Sequence, residues 1–154
     1  DDVLMAMEER RSPILLTERK EHLEKLHDRL KGFIRHIVIL RGGRSAKKRR
    51  EVEAQLASIP DDEERLILAT GRYIGEGFDD ARLDTLFLAL PVSWKGTLVQ
   101  YAGRLHRLHP GKQEVRIVDY VDSKVPMLAR MFEKRRAGYR AMGYRERDDG
   151  TLLE

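Results

Sequence analysis

The sequence predicts an α/β protein in which a mainly parallel sheet is covered by helices on both faces. Five short runs are almost wholly apolar, as expected of central parallel strands that are buried on both faces. These runs are residues 14–17, 37–40, 66–70, 86–90 and 115–118. Segments with apolar residues at helical spacing lie between them, and this alternation indicates parallel strands joined by crossover helices.

Four helices are predicted from this spacing. Their inward-facing positions include Leu23, Leu26 and Leu30 in the first, Val52, Leu56 and Ile59 in the second, and Leu128, Met131, Phe132, Tyr139 and Met142 in the last. The third helix is predicted to start at Thr97, and the last to have Ser123 as its N-cap and to end near Gly143. We expect one domain over residues 1–144 and a polar tail, residues 145–154, that frays.

The composition limits the class of protein. A hydrophobic fraction of 41% over 154 residues suits one folded domain and argues against disorder. The absence of cysteine excludes disulfides, thiolate metal sites, thiol nucleophiles and iron–sulfur clusters. No apolar run is long enough for a transmembrane helix, and no signal peptide opens the chain, so we expect a cytoplasmic protein without a membrane partner. Because the chain starts at Asp1 without a methionine, we also expect it to be part of a longer protein.

Basic residues are concentrated in two segments that carry no acidic residue. Residues 41–50 contain six lysines and arginines, and residues 95–112 contain two lysines, two arginines and two histidines. Both segments include loops or helix starts that follow predicted strands, and ligands bind at that edge of such sheets. One basic segment is typical of a solvated face, but two at the same edge favour a phosphate-binding surface.

The sequence lacks the parts of a self-sufficient hydrolase. The Walker-type phosphate loop (Gly, four residues, Gly-Lys and Ser or Thr) is absent, and no predicted strand ends in an acidic pair for magnesium. The five histidines are not spaced as metal ligands, and no Ser/His/Asp arrangement is present. We therefore expect no resident metal and no independent hydrolytic activity.

The segment from Gln100 to Arg107 contains the sharpest local pattern. On a helix Gln100, Arg104 and Arg107 lie within about 60° of one another, and Gly103 lies beside them. A glycine inside a helix costs about 1 kcal/mol relative to alanine, which close approach of a ligand would offset. The alternative is an exposed basic face with a tolerated glycine.

A glycine-rich turn follows the third predicted strand. Gly71, Gly75 and Gly77 keep the backbone open, and the exposed N–H groups of such a turn bind phosphate oxygens. Asp79 is suited to accept a hydrogen bond from a ribose hydroxyl. The alternative is a plain connection in which Asp79 caps a helix.

In this order, the segments resemble the second RecA-like domain of superfamily 2 helicases over roughly residues 14–120. Residues 13–19 stand where that family has motif IV, and the Leu-Arg-Gly-Gly at residues 40–43 matches its next strand end. Residues 66–79 match motif V, and residues 100–107 match motif VI in the form Gln-x-x-Gly-Arg-x-x-Arg. The resemblance implies a RecA-like three-layer α/β/α sandwich that forms the C-terminal motor domain of an ATP-dependent helicase or translocase.

The resemblance also implies residue roles. Arg107 would be the arginine finger that reaches the γ-phosphate across an interdomain cleft, with Arg104 and Gln100 beside it, and Asp79 with Gly77 would meet the ribose. The residues that would line the strand-binding face are Thr17, Arg19, Gly43, Thr70 and Gly71.

The partners implied are ATP with magnesium, a nucleic-acid strand or duplex, and an N-terminal RecA-like domain of the same parent chain that carries the phosphate loop and the magnesium ligands. DEAD-box RNA helicases begin motif VI with His-Arg and place Gly before its last Arg, whereas this chain has Gln100, Tyr101 and His106 there. The pattern is closer to restriction-enzyme motor subunits and DNA-repair helicases, which favours DNA over RNA.

Two other classes remain open. A nucleic-acid-binding module without a motor partner would bind single strands with a steep salt dependence and without regard to nucleotide. A flavodoxin-like domain would instead cradle a cofactor phosphate on its glycines, although the sequence offers no apolar loops to hold the cofactor's ring.

Overall fold

The computed structural model describes residues 2–17, 20–41, 46–60, 62–70, 82–89, 115–120, 124–146 and 152–153. The described residues form four helices, which are α1 (Asp2–Glu8), α2 (Lys20–Leu30), α3 (Ala46–Ala57) and α4 (Pro126–Ala141). They also form seven strands, which are β1 (Pro13–Thr17), β2 (Ile37–Leu40), β3 (Leu66–Thr70), β4 (Thr85–Leu88), β5 (Arg116–Asp119), β6 (Arg145–Glu146) and β7 (Leu152–Leu153).

These strands form one sheet in the order β2-β3-β1-β4-β5-β7-β6. The first five are parallel, and β7 and β6 extend the sheet in the antiparallel sense beyond β5. Because β3 lies between β1 and β2, the helix α2 that follows β1 along the chain lies over β3 and packs against both β1 and β3. The predicted mainly parallel sheet is confirmed.

Helices cover both faces of this sheet, as the apolar runs require. On one face Leu56 of α3 and Tyr139 of α4 join the buried side chains of the strands in a single cluster. On the other face Val3 of α1 and Leu23 of α2 form the second cluster. Alternate residues of each strand therefore enter different cores, which explains why the central strands have almost no polar positions.

The end of α4 forms a Schellman motif around the predicted stop residue. The N–H of Gly143 donates to the carbonyl of Arg140, and the N–H of Tyr144 donates to that of Tyr139, both at 3.0 Å. Gly143 has a φ of +96°, which a residue with a Cβ rarely adopts. Tyr144 then packs edge-on against Tyr139 at 6.2 Å between ring centroids, so the chain is turned back onto the sheet.

Two predictions about this region are wrong. The N-cap of α4 is Val125 rather than Ser123, and no side chain caps the helix, because valine has no acceptor for the free N–H groups of the first turn, which Pro126 begins. The tail does not fray throughout, since residues 145–146 and 152–153 pair with each other and residues 152–153 pair with β5. The third predicted helix lies outside the described residues.

Replacing Gly143 with alanine should destabilise the fold by about 1–2 kcal/mol, because the added Cβ disfavours the left-handed backbone. Gly32→Ala is the matched control, since neither glycine has an atom within 4 Å of an added Cβ and only Gly143 has a positive φ. The control should be neutral or stabilising by about 0.4–1 kcal/mol, because alanine has fewer unfolded conformations. Urea unfolding measures both, and equal effects would contradict the role assigned to the backbone conformation.

Candidate nucleic-acid interface at the carboxyl edge of the sheet

The parallel register brings the ends of five strands into one line. Leu40, Ala69, Leu16, Leu88 and Asp119 are partners across neighbouring strands, in the order β2, β3, β1, β4 and β5. We call these five residues the inner row. All four apolar members belong to the core cluster on the α3 and α4 face.

One residue further along each strand lies a second line, which we call the outer row. Its members are Arg41, Thr70, Thr17, Ala89 and Tyr120, and together they form the carboxyl edge. The ladder continues into this row through hydrogen bonds from Ala89 N–H to the Leu16 carbonyl and from Tyr120 N–H to the Leu88 carbonyl. Because successive residues of a strand point to opposite faces, the outer row belongs to the α2 face.

Thr17 and Thr70 are the two predicted strand-binding residues that the structure describes, and they are direct neighbours in the outer row. Both are buried, with 2% of Thr17 and 7% of Thr70 exposed. The Thr17 hydroxyl is hydrogen-bonded to Nδ1 of His22 in α2 at 3.0 Å. In this state the two threonines lie at the predicted interface but offer a strand little surface of their own.

Arg41 occupies the end of the outer row on β2, the edge strand of the sheet. Its Nη2 donates to Oε1 of Glu24 in α2 at 2.9 Å, and three quarters of its side chain is buried. In the sequence Arg41 belongs both to a basic segment and to the Leu-Arg-Gly-Gly that matches the family's next strand end, whereas Glu24 carries no signal of its own.

The two contacts from α2 explain how this helix is seated over the edge. His22 and Glu24 are two residues apart and therefore lie on opposite flanks of the helix. One flank contacts β1 through Thr17, and the other contacts the end of β2 through Arg41. The helix thereby spans β3, the strand between them.

Tyr120 ends the outer row on the β5 side. Its ring is stacked on Phe87 with 6.4 Å between centroids and 16° between planes, and 43% of the residue remains exposed. The described edge therefore has a cationic end at Arg41 and an aromatic end at Tyr120.

The remaining predicted site residues lie outside the described residues. They are Arg19, Gly43, Gly71, Gly77, Asp79, Gln100, Arg104 and Arg107. Three of them are joined by the chain to the outer row, since Arg19 follows Thr17 by two residues, Gly43 follows Arg41 by two, and Gly71 is bonded to Thr70. The roles of all eight stay predictions.

A buried polar cluster at the end of the inner row was missed by sequence analysis. Asp119 accepts hydrogen bonds from Nε and Nη2 of Arg135 at 2.8 and 2.9 Å and from the Tyr139 hydroxyl at 2.7 Å. The side chains of Arg135 and Asp119 are only 2% and 1% exposed. Arg135 also lies over the ring of Phe132, at 5.7 Å from its centroid. The cluster fixes α4 to the end of β5.

Burial and charge shift the pKa values of this cluster. Burial raises the pKa of Tyr139 far above 10, and the negative charge of Asp119 raises it further. Burial lowers the pKa of Arg135, but the hydrogen bonds and charge of Asp119 outweigh this and leave its pKa above the ordinary value. Tyr139 is therefore a hydrogen-bond donor and Arg135 a cation throughout the physiological range.

Two other bases of α4 remain near solvent and face acidic partners. Arg136 contacts Glu146 at 2.8 Å and Glu133 at 3.4 Å, and Arg140 lies 3.8 Å from Glu146. The sequence left open whether this basic helix touches phosphate or covers the sheet. For Arg135 the structure decides in favour of covering the sheet.

A cleft of about 700 Å³ opens at the opposite, amino edge of the sheet. Three of its four arginines contact neighbouring groups: Arg11 donates to Thr85 Oγ1 at 2.6 Å, and Arg35 contacts Glu63 at 2.8 Å. Arg82 donates to the hydroxyl of Ser12 and to the carbonyls of Pro60 and Glu63. We assign this network to stability rather than to a ligand.

Within the described part of the chain, no group of three or more histidine, aspartate or glutamate side chains could hold a metal ion. No helix there combines the length and the apolar sequence that crossing a bilayer would require.

No family model and no curated protein matches this chain. Among solved structures, it is similar to the crystal structure of the C-terminal part of the Fun30 ATPase domain, with a TM-score of 0.66 and 15% sequence identity. The alignment covers 84% of this chain and 41% of that one, so this chain spans less than half of the protein it matches. The likeness confirms the predicted RecA-like α/β fold, and at this identity it speaks to the fold alone.

The raised pKa of Tyr139 predicts a loss of stability in alkali. Above pH 10 the unfolded tyrosine releases its proton while the folded one retains it, so unfolding is favoured by up to about 1.4 kcal/mol per pH unit. Tyr139→Phe should be less stable than the wild type by about 1–3 kcal/mol at pH 7, because one hydrogen bond to a carboxylate is lost. This difference should shrink as the pH rises above 10. Urea unfolding from pH 7 to 11 measures it, and a constant difference would contradict the assignment.

Proposed function

We propose that this chain is the C-terminal motor domain of an ATP-dependent helicase or translocase that acts on nucleic acid, with DNA favoured over RNA. The observation that carries the proposal is the likeness of its fold to the C-terminal part of an ATPase domain. The motif order supports it, because residues matching motif IV and motif V end in Thr17 and Thr70, which are neighbours in the outer row.

The strand-binding face in this proposal is the carboxyl edge and the segments that follow it. Thr17 and Thr70 are paired at the ends of β1 and β3, and Arg19, Gly43 and Gly71 follow the outer row along the chain. An arginine at such a position meets phosphate, while glycines let the backbone approach it closely. The cationic end of the edge at Arg41 has the charge that a phosphate backbone requires.

The catalytic contribution in this proposal comes from the segment that matches motif VI. During phosphoryl transfer, negative charge is spread over the γ-phosphoryl oxygens, and a guanidinium placed there accelerates the reaction by about 10³–10⁵. Arg107 is the proposed finger, with Arg104 and Gln100 beside it, while Asp79 and Gly77 meet the ribose. Magnesium would be held by the proposed N-terminal domain, where it would neutralise phosphate charge.

Placing the arginine finger on a second domain would couple ATP hydrolysis to domain closure. Arg107 would act only when the two domains close around ATP, and a nucleic-acid strand that lies across both domains would favour closure. Hydrolysis and release would reopen the cleft, which gives stepwise movement along the strand. The resemblance of the motif VI segment to restriction-type and DNA-repair motors is the basis for proposing DNA as the track.

Arg107→Ala in the full-length parent protein should lower nucleic-acid-stimulated ATP hydrolysis by about 10³–10⁵, because the transition-state charge loses its partner. Affinity for single-stranded DNA should change little. Arg140→Ala is the control, since Arg140 is an exposed arginine on α4, and it should leave turnover unchanged. Turnover of the Arg107 variant equal to that of the wild type would remove the finger assignment.

Arg19→Ala should weaken binding of single-stranded DNA and make its salt dependence shallower. Loss of one phosphate contact should reduce the slope of log affinity against log salt by about 0.7. The control is Arg29→Ala, in the last turn of α2 at the opposite end of the helix, which should keep the wild-type slope. Fluorescence anisotropy over a salt series measures both, and identical slopes for the three proteins would exclude Arg19 from the strand-binding face.

A further inference from the structure

We propose that Arg41 binds a phosphate of the nucleic acid, and that the Glu24 carboxylate takes the place of this phosphate while no nucleic acid is bound. In this inference, which rests on the proposed function, a strand binds by replacing the Glu24 carboxylate with one of its phosphates. Glu24 then acts as an internal competitor that lowers the affinity for nucleic acid.

The position of Arg41 favours an anionic ligand. It ends the outer row beside Thr70, and it follows β2, the edge strand, whose outer side pairs with no other strand among the described residues. Five residues later α3 begins, and its first turns carry the exposed bases Lys47 and Lys48. Of these, Lys48 lies 3.8 Å from Glu51.

The contact between Arg41 and Glu24 uses only part of the guanidinium. Nη2 donates to one carboxylate oxygen, whereas Nε is buried and has no hydrogen-bond partner among the described residues. Nε and Nη2 form the side-on fork with which arginine binds two oxygens of a carboxylate or phosphate. Half of that fork is therefore unused.

The same protein shows what a complete fork looks like. Asp119 binds Nε and Nη2 of Arg135 at 2.8 and 2.9 Å, and both side chains are almost fully buried. Glu24 binds Arg41 through a single nitrogen and is 59% exposed. The first pair is permanent, and the second has the geometry of an exchangeable contact.

Exchange is physically reasonable because of where each group lies. Most of the Arg41 side chain is buried, so its guanidinium is held at the edge with little freedom to lose on binding. Glu24 lies on the surface of α2, where it can turn into water once its partner is taken. Exposed ion pairs are weak, whereas a bidentate contact between arginine and phosphate is strong.

The test is anisotropy of labelled oligodeoxythymidine with the full-length parent protein. Glu24→Gln should raise the affinity by about 2–5-fold, the strength of an exposed ion pair. Arg41→Gln should lower the affinity and reduce the salt slope by about 0.7. Arg41→Lys keeps the charge but lacks the fork, so it should retain the slope and recover only part of the affinity.

The double variant separates competition from a general charge effect. Glu24→Gln combined with Arg41→Gln should bind like Arg41→Gln alone. Once Arg41 is gone, the carboxylate of Glu24 has no phosphate-binding group to mask, so its removal should add nothing. Glu133→Gln is the matched control, since Glu133 is 65% exposed and also contacts an arginine, Arg136. A gain in affinity for this control or for the double variant relative to Arg41→Gln would overturn the inference.

The outcomes also separate this inference from the proposed function. If the wild-type protein does not bind the oligonucleotide, both fall. If it binds with a steep salt dependence that neither Glu24→Gln nor Arg41→Gln alters, the proposed function stands and the masking by Glu24 is wrong.

Discussion

The in-register alignment of five parallel strands is the constraint on which the rest of the structure depends. It places five strand ends in one line and sends successive residues to opposite faces. The inner row is consequently part of the core beneath α3 and α4, while the outer row belongs to the opposite face, which carries α1 and α2. One residue along a strand separates a position in the core beneath α3 and α4 from a position at the carboxyl edge.

The two arginine–carboxylate pairs at this edge show how the same chemistry serves both purposes. At Asp119 and Arg135, burial removes water, so two charges persist only because every polar atom of the carboxylate meets a donor. At Glu24 and Arg41, water competes for the carboxylate, and one guanidinium donor has no partner within the part of the chain that the structure describes. The number of hydrogen bonds and the access of water distinguish a fixed pair from an exchangeable one.

The sheet could be predicted from the sequence because strands buried on both faces have a local signature, and all five runs are strands at nearly the expected positions. The buried position of Arg135 could not be predicted, because this residue stands between Lys134 and Arg136. A rotation of about 100° per residue along the helix decides which of the three faces the sheet. Its partner Asp119 is sixteen residues away. The short strands at 145–146 and 152–153 carry no apolar alternation, since they add to an existing edge through backbone hydrogen bonds.

The candidate site divides in the same way. Thr17 and Thr70 were singled out by the resemblance of their segments to motifs IV and V, and the register makes them neighbours. Glu24 and His22 were not singled out, because their spacing in the sequence is typical of the polar face of an amphipathic helix. Only the crossover of α2 above β3 brings them to the edge. A crossover helix that starts at the carboxyl edge must present its first turns to the strand ends on either side. In the proposed exchange, an acidic residue in these turns, such as Glu24, competes with an anion at the edge, so the sequence of α2 would set how tightly that anion is held.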